Sequence, residues 1–211
     1  MLPPGDTSLF QTQIQTQSER VEIDISSIWH SEKSGLVVLI PDKIVFRIKK
    51  VKKDTEGHFM MIKGIMHQED ITLINIRAPN QGALKYVKRL PSELRGETDP
   101  NTVIVGDLNT PLSDMDRSSQ QKINKEITSL NDTLDQLDII DIYRAFHPKT
   151  AAYTFFSSAH GTFSRIDRIL GYRDSLNKYK RVEIIPTIFS SHDALKLEIN
   201  CKKKVGRTTN T

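Results

Sequence analysis

Residues 102–111 read Thr102-Val103-Ile104-Val105-Gly106-Asp107-Leu108-Asn109-Thr110-Pro111. An apolar, largely β-branched run meets a glycine and then presents an acid and an amide two residues apart. Residues 102–105 describe a buried strand that ends at Gly106. In an extended segment, residues i and i+2 point the same way, so Asp107 and Asn109 can address one phosphate or one water. The carboxylate suits a base or a metal ligand, and the amide suits a hydrogen-bond donor. An Asx-stabilised turn at a strand end fits the same residues without any chemistry.

Upstream, Leu36-Val37-Val38-Leu39-Ile40 has the composition of a second buried strand, and 71–76 of a third, stopped by Ala78-Pro79-Asn80. Asp54-Thr55-Glu56-Gly57 is a turn joining a basic strand over 44–53 to a strand over 58–65. Residues 84–94 are predicted helical, with an interruption at Pro91. Over 117–137, Ile123, Ile127, Leu130, Leu134 and Leu137 recur at helical spacing, giving one apolar stripe. Short strands are expected at 153–156, 164–170, 182–185 and 194–199. Strands mixed with helices, some of them in hairpins, indicate an α/β layered domain.

The flanks differ in composition. Residues 1–33 are rich in Gln, Ser and Thr, and the alternation from Gln11 to Gln17 is expected to be loosely ordered. Val21-Glu22-Ile23-Asp24-Ile25 could make one short strand. We therefore divide the chain into a poorly ordered segment at 1–33, a domain at 34–200 and a basic disordered tail at 201–211.

Among 211 residues, 37% are apolar and 27% charged, ordinary for a globular protein. The net charge of +4 is compatible with a polyanionic partner. A single cysteine, Cys201, excludes an internal disulfide and fits a reducing compartment. No apolar run is long enough to span a bilayer, and the N-terminus has no basic-then-apolar start. The expectation is an intracellular protein of nucleus or cytoplasm, not secreted and not at a membrane.

Two further stretches could carry chemistry. Ser190-Ser191-His192-Asp193 places a histidine just before a strand, suited to acid–base work near neutral pH, though an exposed loop histidine reads the same way. In Ser164-Arg165-Ile166-Asp167-Arg168-Ile169-Leu170, a continuous strand would set Asp167, Arg165 and Ile169 on one face and Ile166, Arg168 and Leu170 on the other. An acid within a strand needs a partner. A cross-strand ion pair answers that need as well as catalysis does. The cluster Arg47, Lys49, Lys50, Lys52 and Lys53 could contact phosphates, or could be the solvated face of an edge strand.

Taken with Asn75-Ile76-Arg77-Ala78-Pro79-Asn80, these segments resemble, in order and spacing, the endonuclease/exonuclease/phosphatase superfamily. The finer resemblance, over about Ser34 to Ile199, is to the endonuclease of long interspersed element (LINE) retrotransposons, with exonuclease III and abasic-site endonucleases as relatives. It rests also on 52–57, 109–112, 116–124, Asp141-Ile142-Tyr143-Arg144, His147-Pro148-Lys149 and Tyr153-Thr154-Phe155-Phe156. The resemblance implies a two-sheet α/β sandwich of the DNase I type, a divalent metal (magnesium, or manganese in its place), no small-molecule cofactor, and hydrolysis of DNA phosphodiesters. It makes Asp107 the acid acting on the attacking water, Asn109 the amide steadying the phosphate, His192 the histidine at the scissile phosphate and Asp167 its paired acid. It gives Asp107, Asn109 and His192 as metal-site residues. The loop between Phe156 and Ser164 matches a hairpin that touches DNA.

The sequence also departs from that pattern. The family's first strand with its asparagine, and the Q-E-T-H-like stretch whose glutamate holds the metal, are not found; Glu19, Glu22 and Glu32 sit in no such motif. The domain therefore reads as N-terminally truncated. Arg77 stands in the place of a tyrosine, and Ser191 in that of an aspartate. Asp193 is a weak substitute metal ligand, because one residue on it should face the opposite way. The expected outcome is a family DNA nuclease with catalysis lost or severely weakened. The rivals are a non-catalytic nucleic-acid-binding remnant and, on shared fold, a phosphatase acting on inositol or sphingolipid head groups.

Overall fold

The computed structural model describes residues 12–16, 45–119, 121–188 and 190–200. The strands predicted at 21–25 and 36–40, and the tail, lie outside the described residues. Eleven strands are described: β1 (Thr12–Thr16), β2 (Phe46–Lys53), β3 (Phe59–Met66), β4 (Glu69–Arg77), β5 (Thr102–Asp107), β6 (Ile139–Asp141), β7 (Phe155–Ser157), β8 (Thr162–Ser164), β9 (Asp167–Tyr172), β10 (Tyr179–Ile185) and β11 (Ala194–Ile199). The helices are α1 (Ala83–Glu93), α2 (Lys125–Gln136) and α3 (Ile142–Phe146).

Six strands form the main sheet in the order β2-β3-β4-β5-β9-β6; β1-β11-β10 form a second sheet, and β7-β8 a hairpin. The central strands are apolar on both faces, and the packing shows why. Ile74 and Ile76 of β4 and Ile104 of β5 face α1 and α2, meeting Tyr86, Leu90, Leu130 and Leu134. Ile71, Leu73, Val103 and Ile169 face the second sheet, meeting Val182, Leu195, Leu197 and Ile199. Covering both faces of a sheet removes the polar–apolar alternation that a half-exposed strand would show. The architecture is a helix layer, a six-stranded sheet and a second sheet, the two-sheet α/β sandwich expected.

Several local expectations need correction. Gln11–Gln17 is not wholly irregular: Thr12–Thr16 pairs in parallel with β11, Ile14 opposite Leu197, because an alternating segment can satisfy its backbone groups along an open strand edge. Pro91 does not interrupt α1. It sits in the last turn, and the Leu94 N–H closes onto the Leu90 carbonyl beyond it. The helix predicted over 117–137 begins only at Lys125, where the Asn124 side chain accepts the Ile127 N–H at 2.9 Å and caps it. Ile123 is left outside and Leu137 is half-exposed. The strand predicted over 164–170 is two strands. Ser164 ends β8 and Asp167 opens β9, with Arg165 and Ile166 as a break between them.

That break changes the side-chain directions. Arg165 and Arg168 were expected on opposite faces; both instead reach the same buried acids. Asp116 receives Arg165 at 2.8 Å, Arg144 at 2.7 Å and Arg168 at 3.0 Å, and Asp141 receives Arg165 at 2.8 Å and Arg168 at 2.7 Å. Burial opposes the charge on Asp116, but Arg168 and Arg165 hold its carboxyl well below the usual carboxylate range.

Candidate active site

Three strand ends meet at one mouth between the sheets. Arg77 closes β4, Asp107 closes β5 and Asp167 opens β9. In register, Arg77 lies beside Asp107 in the parallel pair, and Asp107 lies opposite Asp167 in the antiparallel pair. All three stand on the face turned toward the second sheet, in line with Leu73, Val105 and Ile169. His192 arrives from that second sheet, two residues before β11 begins. Gly106 is required here: its φ is +125°, and a Cβ would lie 2.0 Å from the Ile76 carbonyl oxygen.

Asp107 and Asn109 are not aligned as an extended pair. Asn109 has φ +50°, and its backbone N–H donates to Asp107 Oδ1 at 2.7 Å, which is the Asx turn that the sequence left open. The chain thus turns under Asp107 and holds its carboxylate. The Asn109 amide donates to Asn80 Oδ1 at 2.8 Å, tying this turn to the loop after β4. That loop and the turn before β3 bound an open cleft lined by Glu56, His58, Arg77, Pro79 and Asn80.

His192 Nδ1 donates to Asp167 Oδ2 at 3.0 Å, and its ring packs on Phe155 with centroids 4.6 Å apart. Burial works against the charged imidazole, but the Asp167 hydrogen bond and the charges of Asp167 and Asp107 outweigh it and raise the His192 pKa. Asp107 is pushed up from 3.8 to about 6, first by burial and then by Asp167. Asp107, Asp167 and His192 each offer a ligand atom, and these atoms lie within 4.8 Å of one another. Asp167 Oδ1 is buried without a hydrogen-bond partner. Two neighbouring buried carboxylates with an unused oxygen make a donor set that fits a hard divalent cation.

The remaining predicted residues lie apart from this cluster. Asp193 turns away, and its carboxylate accepts the Thr187 N–H at 3.0 Å, which makes it a turn-holding residue. Ser191 is exposed, and its carbonyl accepts the Phe156 N–H. Of the basic cluster, Lys49 pairs with Asp70 and Lys50 with Glu97, each at 2.5 Å, and Lys52 donates to the Glu93 carbonyl. These three cations are engaged by β4, by the end of α1 and by the loop that follows it.

Sequence reasoning missed two supports. Thr154 is buried, and its hydroxyl accepts the backbone N–H groups of Ile166 and Asp167, while its carbonyl accepts the Asp193 N–H at 2.7 Å. It joins the Asp167 and His192 segments. The other is the Asp116–Asp141–arginine network beneath β9. Two arginines set among Ile166, Ile169 and Leu170 were the available signal, because a buried cation requires acids.

The structure is a layered sandwich with an acid–histidine pair at its strand ends. The Endonuclease/Exonuclease/phosphatase family matches residues 11–192, and the chain belongs to it. The match begins inside the segment that composition sets apart. The chain is 23% identical over 171 residues to the Transposon TX1 uncharacterized 149 kDa protein of Xenopus laevis, covering 79% of this chain and 13% of that protein. It superposes with TM-score 0.61 on the endonuclease domain of TRAS1, a telomere-specific non-LTR retrotransposon, at 15% identity, covering 87% of this chain and 81% of that one. A 3′ phosphatase from Neisseria, bound to a product DNA hairpin, gives TM-score 0.59 at 21% identity, covering 77% and 72%. Among the described residues, no helix is long and apolar enough to cross a membrane.

Proposed function

We propose that the chain hydrolyses DNA phosphodiester bonds with magnesium, or manganese in its place, and that as a separate 211-residue protein it does so slowly. The observation that carries this is the cluster of Asp107, Asp167 and His192 at the mouth between the sheets, with the Asp167–His192 hydrogen bond at 3.0 Å. A carboxyl near 6 is well matched to taking a proton from water at neutral pH. With Nδ1 held by Asp167, which favours the charged ring, His192 in that form presents Nε2 as the donor to a phosphate oxygen. Asn109, anchored through Asn80, steadies the substrate. Asp107 and Asp167, with Asn109 and His192 beside them, are the residues that would hold the metal. A bound ion would supply positive charge to the phosphoryl oxygens and ease ionisation of water.

Slow turnover follows from the donor set. The Q-E-T-H-like glutamate is absent from these residues, and Ser191 brings no charge beside His192. The second reading, a nucleic-acid-binding remnant without turnover, rests on the same two facts. Nicking of supercoiled plasmid separates them. We expect weak magnesium-dependent nicking that Asp107→Ala and His192→Ala each remove, and a rise when a family N-terminal segment carrying both missing motifs is appended. Plasmid binding with no nicking at any metal concentration favours the remnant.

A further inference from the structure

Arg77 is the position at which the sequence departs from its family at the edge of the site, and the fold gives that arginine a specific setting. It ends β4 in register with Asp107 and shares its face of the sheet. Its backbone is fully engaged: the N–H donates to the His58 carbonyl at 2.8 Å, and its carbonyl oxygen is 3.1 Å from His58 Nδ1. Its guanidinium has no hydrogen bond or ion pair with any described residue. The contrast with nearby arginines is sharp. Arg144, Arg165 and Arg168 are all consumed by Asp116 and Asp141, and Arg89 is paired with Glu93. Arg77 instead lines the open cleft with His58, Pro79 and Asn80, next to Asn109. Glu56, which also lines this cleft, lies 3.7 Å from His58 Nε2, and Asp107 is the acid beside Arg77 in the sheet.

We infer that Arg77 is a phosphate-binding residue of this chain, clamping a backbone phosphate of DNA in the cleft beside Asp107 without requiring a metal. The inference rests on the proposed action on DNA and deepens it. A tyrosine at this place would offer one hydroxyl. An arginine offers a planar fork that matches two phosphate oxygens and carries a permanent charge. That charge lies on the cleft side of Asp107, so a phosphate seated on it is delivered toward the acid and His192.

The test is binding of a fluorescently labelled DNA duplex in EDTA across a salt series, so that metal loading and turnover do not enter. The 211-residue chain should bind, and Arg77→Gln should weaken binding on the order of tenfold. The same variant should flatten the slope of log K against log salt by about 0.9, the signature of one lost phosphate contact. Arg77→Lys should keep the slope and lose part of the affinity, because a point charge replaces the fork. Equal melting curves for the variants exclude misfolding. Unchanged affinity and slope in Arg77→Gln overturn the inference while leaving the nicking result, and with it the proposed function, intact. Failure of the unsubstituted chain to bind DNA in EDTA overturns it as well.

Discussion

Asp167 opens a strand of the six-stranded sheet and His192 stands just before a strand of the other, yet Asp167 Oδ2 and His192 Nδ1 are 3.0 Å apart. The pair stitches the two sheets together at the mouth of the site. Its electrostatics give a direct test. Asp167 is the main source of the raised His192 pKa, acting through the hydrogen bond and its charge. In Asp167→Asn the His192 ring should titrate at a lower pH than in the parent, read by imidazole proton resonances. An unmoved midpoint would mean that the contact does not persist in solution.

Asp107 should cost stability for the sake of its reactivity. Its folded pKa of about 6 lies above the ordinary 3.8, so between those values the folded chain holds the extra proton. Stability therefore falls as pH rises through that window, and the loss is complete above about pH 6. Asp107→Asn should abolish nicking and yet, in EDTA at pH 7.5, raise unfolding free energy by up to about 3 kcal/mol. Urea denaturation decides it, and a variant less stable than the parent at that pH contradicts the assignment.

The Asp116 network should have the opposite pH dependence. Its folded pKa is depressed below 3.8, so its contribution is full above that value and is lost as pH falls beneath it. Asp116→Asn leaves Arg165 and Arg168 on one acid, Asp141, and leaves the Arg144 guanidinium with backbone carbonyls and no acid. The expected loss at pH 7 is about 3–5 kcal/mol, the usual consequence of breaking a buried pair. Below pH 4 the gap between variant and parent should narrow. An acid-unfolding series that shows parallel curves throughout would count against the network.

Gly106→Ala tests how closely β4 and β5 approach beneath the site. The added methyl would meet the Ile76 carbonyl at 2.0 Å at a φ that side chains rarely adopt. We expect insoluble or strongly destabilised protein, by more than about 3 kcal/mol. A folded variant with unchanged melting would show that the two strands can separate there at no cost.

Local sequence determined a good deal. The apolar run into Gly106, the period-2 segment at Ala194–Ile199 and the stripe of Ile127, Leu130 and Leu134 marked their elements, because side-chain periodicity is a property of one segment and needs no partner. The motif residues Asp107, Asn109, Asp167 and His192 were likewise visible in the sequence. Tertiary structure alone decided what each of them meets. Periodicity sets which face a residue takes, but the neighbouring strand is chosen by pairings across long stretches of chain. Thus β9 lies beside β5 and puts Asp167 opposite Asp107, while β11 brings His192 from the other sheet. The same long-range packing bent the chain at Arg165, gathered three arginines on Asp116, and left Arg77 facing an open cleft. None of these follows from local pattern, because a buried charge is tolerated only where distant segments bring its counter-charge, and that is settled when the layers close.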